Sequence, residues 1–344
     1  MRRSNPLPTT LSRRGFLQVS SAAAVAAATS ACSRGDEVKV RPEGVPVSTF
    51  TKKTSVAEVL AGVDLTGKTV LVTGATSGLG LESMRALAEK GASVLGTGRT
   101  LAKAREACDS VGARCTPFEL ELESLDSVRA CSDAVRALGI PIDVLMLNAG
   151  IMSLPKLEQV NGLEKQFAVN HLGHFLLAHR LLDQVKAAPQ GRVVTMSSSA
   201  YKWAPPAGIE FDNLSGAREY DGNKAYGIAK TANGLFSLEL ARQLAGTTTT
   251  SNSVNPGAVN TNLMRNLPAW QRQIFTPIAK FLVKPVDVGA ATQVYVATAP
   301  ALATVSGCYF EDCNPVVPGG SMTDAKLAQQ LWAKSEELVA AYLA

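Results

Sequence analysis

The stretch that most limits this chain lies near residue 73. There a short Val- and Leu-rich run, 69–73, passes without a break into Thr73-Gly74-Ala75-Thr76-Ser77-Gly78-Leu79-Gly80 and then into a helical pattern over 81–90. A strand followed at once by a glycine turn and a helix feeds a crossover to a parallel neighbour rather than a hairpin. The same alternation recurs from about Ser55 onward, with further strands predicted at 93–97, 114–119, 143–147, 192–197, 249–254 and 307–310. Seven strands within residues 55–344 predict one doubly wound α/β domain, with a seven-stranded, mainly parallel sheet flanked by helices. The composition permits it: 46% of the 344 residues are hydrophobic and 18% charged, enough apolar material for a large core and too little charge for disorder.

Gly74, Gly78 and Gly80 let the backbone turn tightly and come close to a pyrophosphate, whose charge would meet free N–H groups and the helix dipole. Ser77 and Leu79 belong to the same turn and to the same expected cofactor site. Of the net charge of +5, residues 1–31 carry +4 and residues 32–54 carry +2, which leaves −1 for residues 55–344. A near-neutral body offers no electrostatic case for nucleic-acid binding. Six cysteines without CxxC spacing fit neither a disulfide scaffold nor a zinc site, and no metal is expected.

The basic amino terminus leads into an Ala-rich run, 19–31, whose thirteen residues are too few to span a bilayer as a helix. Ser12-Arg13-Arg14-Gly15-Phe16-Leu17 resembles the twin-arginine export signal. Residues 1–31 are therefore expected to carry an already folded protein to the periplasm or cell envelope. Cys32, after Thr29-Ser30-Ala31, resembles in part a lipoprotein cleavage site, with Thr29 where Leu is usual. A lipid anchor at Cys32 and plain cleavage near Ala28 or Ala31 both stay open. Residues 32–54, with Pro42, Gly44 and Pro46 and no apolar period, read as a linker, either tether or surface arm.

Further motifs recur in order behind TGATSGLG. Asn148-Ala149-Gly150 ends the fourth strand, Ser197-Ser198-Ser199 the fifth, Tyr226 and Lys230 form YxxxK, and Pro256-Gly257 follows the sixth. As a set over about 58–344 they resemble the short-chain dehydrogenase/reductase superfamily, which implies a Rossmann fold and a nicotinamide dinucleotide. The wording of LNAGIM (147–152), FAVNHLGHFLL (167–177), TANGLFSLELARQL (231–244) and GCYFEDC (307–313) is similar to its retinol dehydrogenase-like branch. That branch includes the WW-domain oxidoreductases and is related to light-dependent protochlorophyllide reductases.

The chemistry of the residues agrees with the resemblance. A phenol with a pKa of about 10 exchanges protons poorly at neutral pH unless its phenolate is stabilised. Four residues apart on a helix, Tyr226 and Lys230 share a face, so the ammonium is placed to do this and to bind the nicotinamide ribose. The resemblance gives Ser198 the substrate oxygen and Asn170 a water in the proton relay. Tyr226 then gives its proton as hydride reaches a carbonyl carbon. Tyr220 and Lys224 also fit YxxxK, but Asp221-Gly222-Asn223 between them reads as a turn. The family's frequent Ser before the lysine is Ala229 here.

At the end of the second strand, NAD-preferring relatives carry an acid for the ribose hydroxyls. Here that position is Gly98, and Arg99 is suited to a 2′-phosphate, so NADP(H) is expected. Glu121 stands where the family usually has an Asp near the adenine, and Thr261, in PGAVNT, matches the residue that binds the carboxamide. His171, His174 and His179 read as structural positions. Cys308 and Cys313 are either a pair or two packed thiols. The apolar stretch containing Leu263, Met264, Leu267, Trp270, Phe275 and Phe281 sits where relatives carry a lid. It points to a lipophilic small-molecule substrate or a membrane contact, or else to packing against the body or a homo-oligomer partner. Two classes remain in view, an NADP-dependent oxidoreductase and a noncatalytic NADP-binding sensor or scaffold.

Overall fold

Strand β1 (Thr69–Val72) is buried throughout, with Val70 and Val72 in one core cluster and Leu71 in another. That is the behaviour of a central parallel strand covered on both faces. A computed structural model of the protein describes residues 39–259 and 283–343. Residues 1–31, predicted to be an export signal, Cys32, Thr261 and the apolar stretch from Leu263 to Leu282 lie outside the described residues. The described residues from Arg41 onward form one compact unit.

In chain order the main elements are α1 (Val56–Val59), β1, α2 (Gly78–Glu89), β2 (Ser93–Gly98), α3 (Leu101–Val111), β3 (Cys115–Glu119), α4 (Leu125–Arg136) and β4 (Val144–Leu147). A small hairpin of β5 (Gln159–Val160) and β6 (Leu163–Glu164) turns at Asn161-Gly162, both with positive φ, as two-residue hairpins require. Next come α5 (Lys165–Phe167), a π turn (Ala168–Leu172), α6 (Gly173–Lys186), β7 (Arg192–Met196), α7 (Gly222–Gln243) and β8 (Thr250–Asn255). After the undescribed stretch follow α8 (Val286–Thr298), β9 (Tyr309–Glu311), β10 (Asn314–Val316) and α9 (Ala325–Val339).

The sheet has eight strands in the order β3-β2-β1-β4-β7-β8-β9-β10, not the seven expected. All seven predicted strands are present and parallel; the eighth, β10, pairs antiparallel with β9 across a two-residue turn at Asp312-Cys313. It is three residues long and contains Pro315, which removes a ladder donor and is tolerated because the strand lies at the edge. Its sequence therefore carries no strand pattern.

Val70, Val72, Met84, Leu87 and Val294 pack on one face of the sheet, under α2 and α8. Leu71, Leu145, Phe175, Phe236 and Trp332 pack on the other, under α4, α6, α7 and α9, where the Phe236 and Trp332 rings stack at 5.7 Å. Residues 45–54, part of the stretch read as linker, lie against this body: the Phe50 ring meets Tyr295 edge-on at 5.5 Å and Ser48 Oγ donates to the Cys313 carbonyl at 2.9 Å.

Among the described residues Cys308 and Cys313 are free thiols, and Cys108 and Cys115 form a disulfide. Cys308 precedes β9 and Cys313 lies in the turn that follows it, where its thiol turns to Thr292 Oγ1 on α8. The α3–β3 turn instead brings the Cys108 and Cys115 Cα atoms to 5.0 Å.

The chain moves from β1 to β2 to β3 in one direction, then returns to place β4 on the other side of β1. The crevice beyond the carboxyl ends of β1 and β4 is thus a topological switch point, where such sheets bind ligands.

Candidate active site

The glycine turn after β1 is held by its neighbours. Ala75 N–H donates to Thr97 O at 2.9 Å, and Gly74 N–H to Thr97 Oγ1 at 3.3 Å. A Cβ on Gly80 would stand 2.3 Å from Gly74 O and 2.6 Å from Asn148 Nδ2, and one on Gly74 (φ 66°) 2.9 Å from Ala149 Cβ. Only glycine lets the two loops approach this closely. Ser77 caps α2 without a side-chain hydrogen bond, so no side chain of the cap satisfies the first-turn N–H groups of this 12-residue helix, which are suited to an anion. This cradle fits a dinucleotide pyrophosphate.

At the end of β2, a Cβ on Gly98 would meet Thr76 Cγ2 at 2.6 Å and Ala104 N at 3.0 Å. The position that would hold a ribose-binding acid therefore has no room for one. The next side chain, Arg99, is exposed and makes no hydrogen bond or ion pair among the described residues. Glu121, beyond β3, is half-buried, and its Oε1 accepts from Glu123 N–H at 3.4 Å. Gly257 (φ 80°), after Pro256, donates its N–H to Asn255 Oδ1 at 3.0 Å.

Helix α7 starts from Asp221, whose carboxylate accepts from Asn223 N–H and Lys224 N–H at 2.9 and 2.7 Å. Tyr220 thus lies outside the helix, its hydroxyl donating to Leu154 O at 2.9 Å, while Lys224 pairs with Glu210 at 2.9 Å. Tyr220 and Lys224 do not form a facing pair. Tyr226 and Lys230 do, one turn apart and both nearly inaccessible, with Nζ 5.5 Å from the phenol centroid. Lys230 Nζ donates to Met196 O at 3.0 Å, and burial pulls its pKa down to about 7. Burial pushes the Tyr226 phenol up, and a hydrogen bond with Ser198 opposes that shift.

The three serines divide by environment. Ser197 is buried with its hydroxyl donating to Lys230 O at 2.8 Å, Ser199 is exposed, and Ser198 meets Tyr226 while accepting from Ala200 N–H at 3.1 Å. Gly227 lets α7 approach the turn Ser199–Trp203: a Cβ there would stand 2.6 Å from Ala204 N. Asn170, fully buried in the π turn, grips Ile151 twice, accepting from its N–H at 2.8 Å and donating to its carbonyl at 2.9 Å. A Cβ on Gly150 would lie 3.2 Å from Asn170 Oδ1 and 3.7 Å from Lys230 Nζ, so strands β4 and β7, the π turn and α7 converge here.

Two features of this corner had no counterpart in the motif reading. Tyr309 on β9 is buried with a hydroxyl that has no partner among the described residues, its ring 5.9 Å from that of Tyr201. Thr73, the first residue of the glycine motif, accepts through Oγ1 from the N–H groups of both Asn148 and Ala149, at 2.8 and 3.0 Å. A hydroxyl opening the glycine turn and two N–H groups ending the neighbouring strand were both visible in the sequence. Their meeting depended on β1 lying beside β4.

A doubly wound sheet with a glycine cradle at its switch point and a buried Tyr–Lys pair beside it defines a dinucleotide-binding oxidoreductase. The sequence pattern described as short chain dehydrogenase matches residues 68–272. The chain is 38% identical over 304 residues to short-chain dehydrogenase TIC 32 A, chloroplastic, of Brassica napus, covering 85% of this chain and 95% of that protein. It is 39% identical over 294 residues to human retinol dehydrogenase 14, covering 79% and 86%. Among solved structures, an uncharacterized protein from Mycobacterium paratuberculosis superposes with a TM-score of 0.67 at 30% identity, covering 85% of this chain and 98% of that one. The chain belongs to the short-chain dehydrogenase/reductase family.

Proposed function

We propose that the protein is an NADP(H)-dependent oxidoreductase that interconverts a carbonyl and an alcohol on a lipophilic small molecule, with Tyr226 as the proton donor and acceptor. The observation that carries this reading is the convergence of Tyr226, Ser198, Lys230 and Asn170 at the switch point, beside a cradle that only glycine permits. Bound NADPH supplies the hydride that reaches the carbonyl carbon. Ser198 Oγ and Tyr226 Oη hold the substrate oxygen, and Tyr226 passes its proton to that oxygen as the alcohol forms. Lys230, poised near neutrality, gains its proton beside an anionic dinucleotide, and its ammonium then favours the phenolate that Tyr226 becomes. Asn170 positions a water through which the replacing proton reaches Tyr226. The apolar stretch 263–282 and the likeness to a retinol dehydrogenase support a lipophilic substrate.

Support for NADP(H) over NAD(H) comes from Gly98, where no acid fits, and from the exposed guanidinium of Arg99, which has no partner among the described residues. Arg99→Ala is expected to weaken NADPH binding about ten- to a hundred-fold, the worth of charge-assisted bonds to a phosphate, and to leave NADH binding unchanged. Fluorescence titration with both nucleotides measures this. An equal loss for both, or none for NADPH, contradicts the role.

Residues 1–31 are proposed to export the protein through the twin-arginine route, after NADP has been taken up in the cytosol. The Cys108–Cys115 disulfide suits an oxidising compartment. Replacing Arg13 and Arg14 by Lys is expected to retain the protein in the cytoplasm as uncleaved precursor. Mass spectrometry of the mature amino terminus separates a lipidated Cys32 from plain cleavage, and undiminished export of the Lys variant rejects the route.

A further inference from the structure

His174, in the first turn of α6, joins the two halves of the site just described. Its ring is 2% exposed, with Nδ1 2.9 Å from the Asn170 carbonyl oxygen and Nε2 2.9 Å from Thr73 Oγ1. A carbonyl oxygen only accepts, so Nδ1 carries the proton. Burial pulls the imidazole down to about 4, with the nearby Lys230 charge adding to the shift, so the ring is neutral and Nε2 is an acceptor. The Thr73 hydroxyl therefore donates to Nε2 at 2.9 Å in preference to its other acceptor, the Met146 carbonyl at 3.4 Å. The two lone pairs of the hydroxyl are left for the Asn148 and Ala149 N–H groups.

One ring thus sets the direction of the Thr73 hydroxyl and links the glycine turn to the Asn170 carbonyl. At the near end of this link Asn148 Nδ2 also donates to Thr73 O at 2.9 Å, and Asn148 Nδ2 is the atom that closes on Gly80. At its far end the Asn170 side chain holds both backbone groups of Ile151. The intervening segment is a π turn, in which Gly173 N–H reaches back five residues to Ala168 O. Single π turns inside helices recur at functional sites. An apolar residue of similar volume would fill the space at 174 yet leave the Thr73 hydroxyl and the Asn170 carbonyl without this partner.

We propose that His174 is a positioning residue that ties the dinucleotide turn after β1 to the π turn carrying Asn170, so that both are set in place together. The cofactor readout of its test rests on the oxidoreductase reading above; the amide readout does not. His174→Asn can still donate to the Asn170 carbonyl but falls short of Thr73, and His174→Gln reaches Thr73 with an acceptor but gives up the bond to Asn170.

In His174→Asn, hydrogen exchange is expected to speed up about tenfold at the Asn148 and Ala149 amides, and the NADPH Kd to rise about tenfold, the worth of one buried hydrogen bond. In His174→Gln, exchange is expected to speed up at the Ile151 amide, with NADPH affinity within about twofold of the unaltered protein and kcat lowered more than KM is raised. Nitrogen chemical shifts of the unaltered protein provide a reading that needs no variant to fold: His174 should remain a neutral Nδ1–H ring from pH 5 to 8. Equal effects of both variants at both loops, or an Nε2–H ring, overturn the proposal. An unaltered protein that binds no NADPH defeats the oxidoreductase reading instead, and the exchange pattern then decides the role of His174 alone.

Discussion

Tyr226→Phe is expected to lower kcat by about a hundred- to ten-thousand-fold, the usual worth of a positioned proton donor, while leaving NADPH affinity and folding nearly intact. The asymmetry follows from what the substitution removes. The ring stays between Trp203, at 6.2 Å, and Lys230 Nζ, at 5.5 Å, so no cavity opens in the buried first half of α7. Only Oη is lost, and with it one hydrogen bond to Ser198, which is worth about 1 kcal/mol of stability. Oxidation of NADPH, followed by its absorbance, reads the first effect; thermal unfolding with and without NADPH reads the second. A variant that keeps its rate would remove Tyr226 from the chemistry. A variant that loses NADPH binding together with its rate would make the side chain structural.

Gly80→Ala is expected to have the largest effect on the cofactor site. The added methyl would stand 2.3 Å from Gly74 O and 2.6 Å from Asn148 Nδ2, and neither neighbour can yield freely. The Gly74 carbonyl belongs to a turn pinned to Thr97, and Asn148 Nδ2 is held by Thr73 O. Relief must come from separating α2 from the end of β4. Overpacking of this kind costs about 1–3 kcal/mol, and here it also spoils the backbone N–H cradle. Stability should fall by that amount, and NADPH affinity by about a hundred-fold or more, since several pyrophosphate bonds of roughly 1 kcal/mol each are misaligned. Unfolding in urea and NADPH fluorescence titration measure the two. Unchanged nucleotide affinity in a folded variant would show that the pyrophosphate binds elsewhere.

The central parallel strands β1, β4 and β7 were legible as Val- or Leu-rich runs in which every residue is buried, whereas β3, β8 and β9, with few or no Val and Leu, were legible from their place in the alternation with helices. Strand β10 was not, because Asn314-Pro315-Val316 earns its place through one neighbour at the sheet edge rather than through its own pattern. Cysteine pairing was equally hidden. Cys108 and Cys115 meet only because α3 turns at Gly112 into β3, and the lack of a side chain on Gly96 leaves room for both sulfurs.

The candidate site divides in the same way. Spacing alone put Tyr226 and Lys230 on one helix face; Asp221 caps the helix and leaves Tyr220 outside it, while Gly222 and Asn223, read as a turn, are the first residues of α7. Which serine faces Tyr226 depended on the direction in which β7 ends, and that places Ser197 toward the Lys230 carbonyl instead. The sequence offered Gly98 as an absent acid. The structure adds that Thr76 and Ala104 close that position to any larger residue. His174 carried no signal beyond its apolar surroundings, because its two partners come from a strand end and a π turn that are 97 residues apart in the chain.

The most direct test of the central claim is a single-turnover experiment: NADPH bound to the purified protein is mixed with a panel of lipophilic aldehydes and ketones, and its fluorescence is followed beside that of Tyr226→Phe. Loss of NADPH fluorescence with formation of the alcohol in the unaltered protein, and none in a Tyr226→Phe protein that binds NADPH equally well, is the predicted result. Equal consumption of NADPH by both proteins, or binding of NADH in preference to NADPH, would contradict the account.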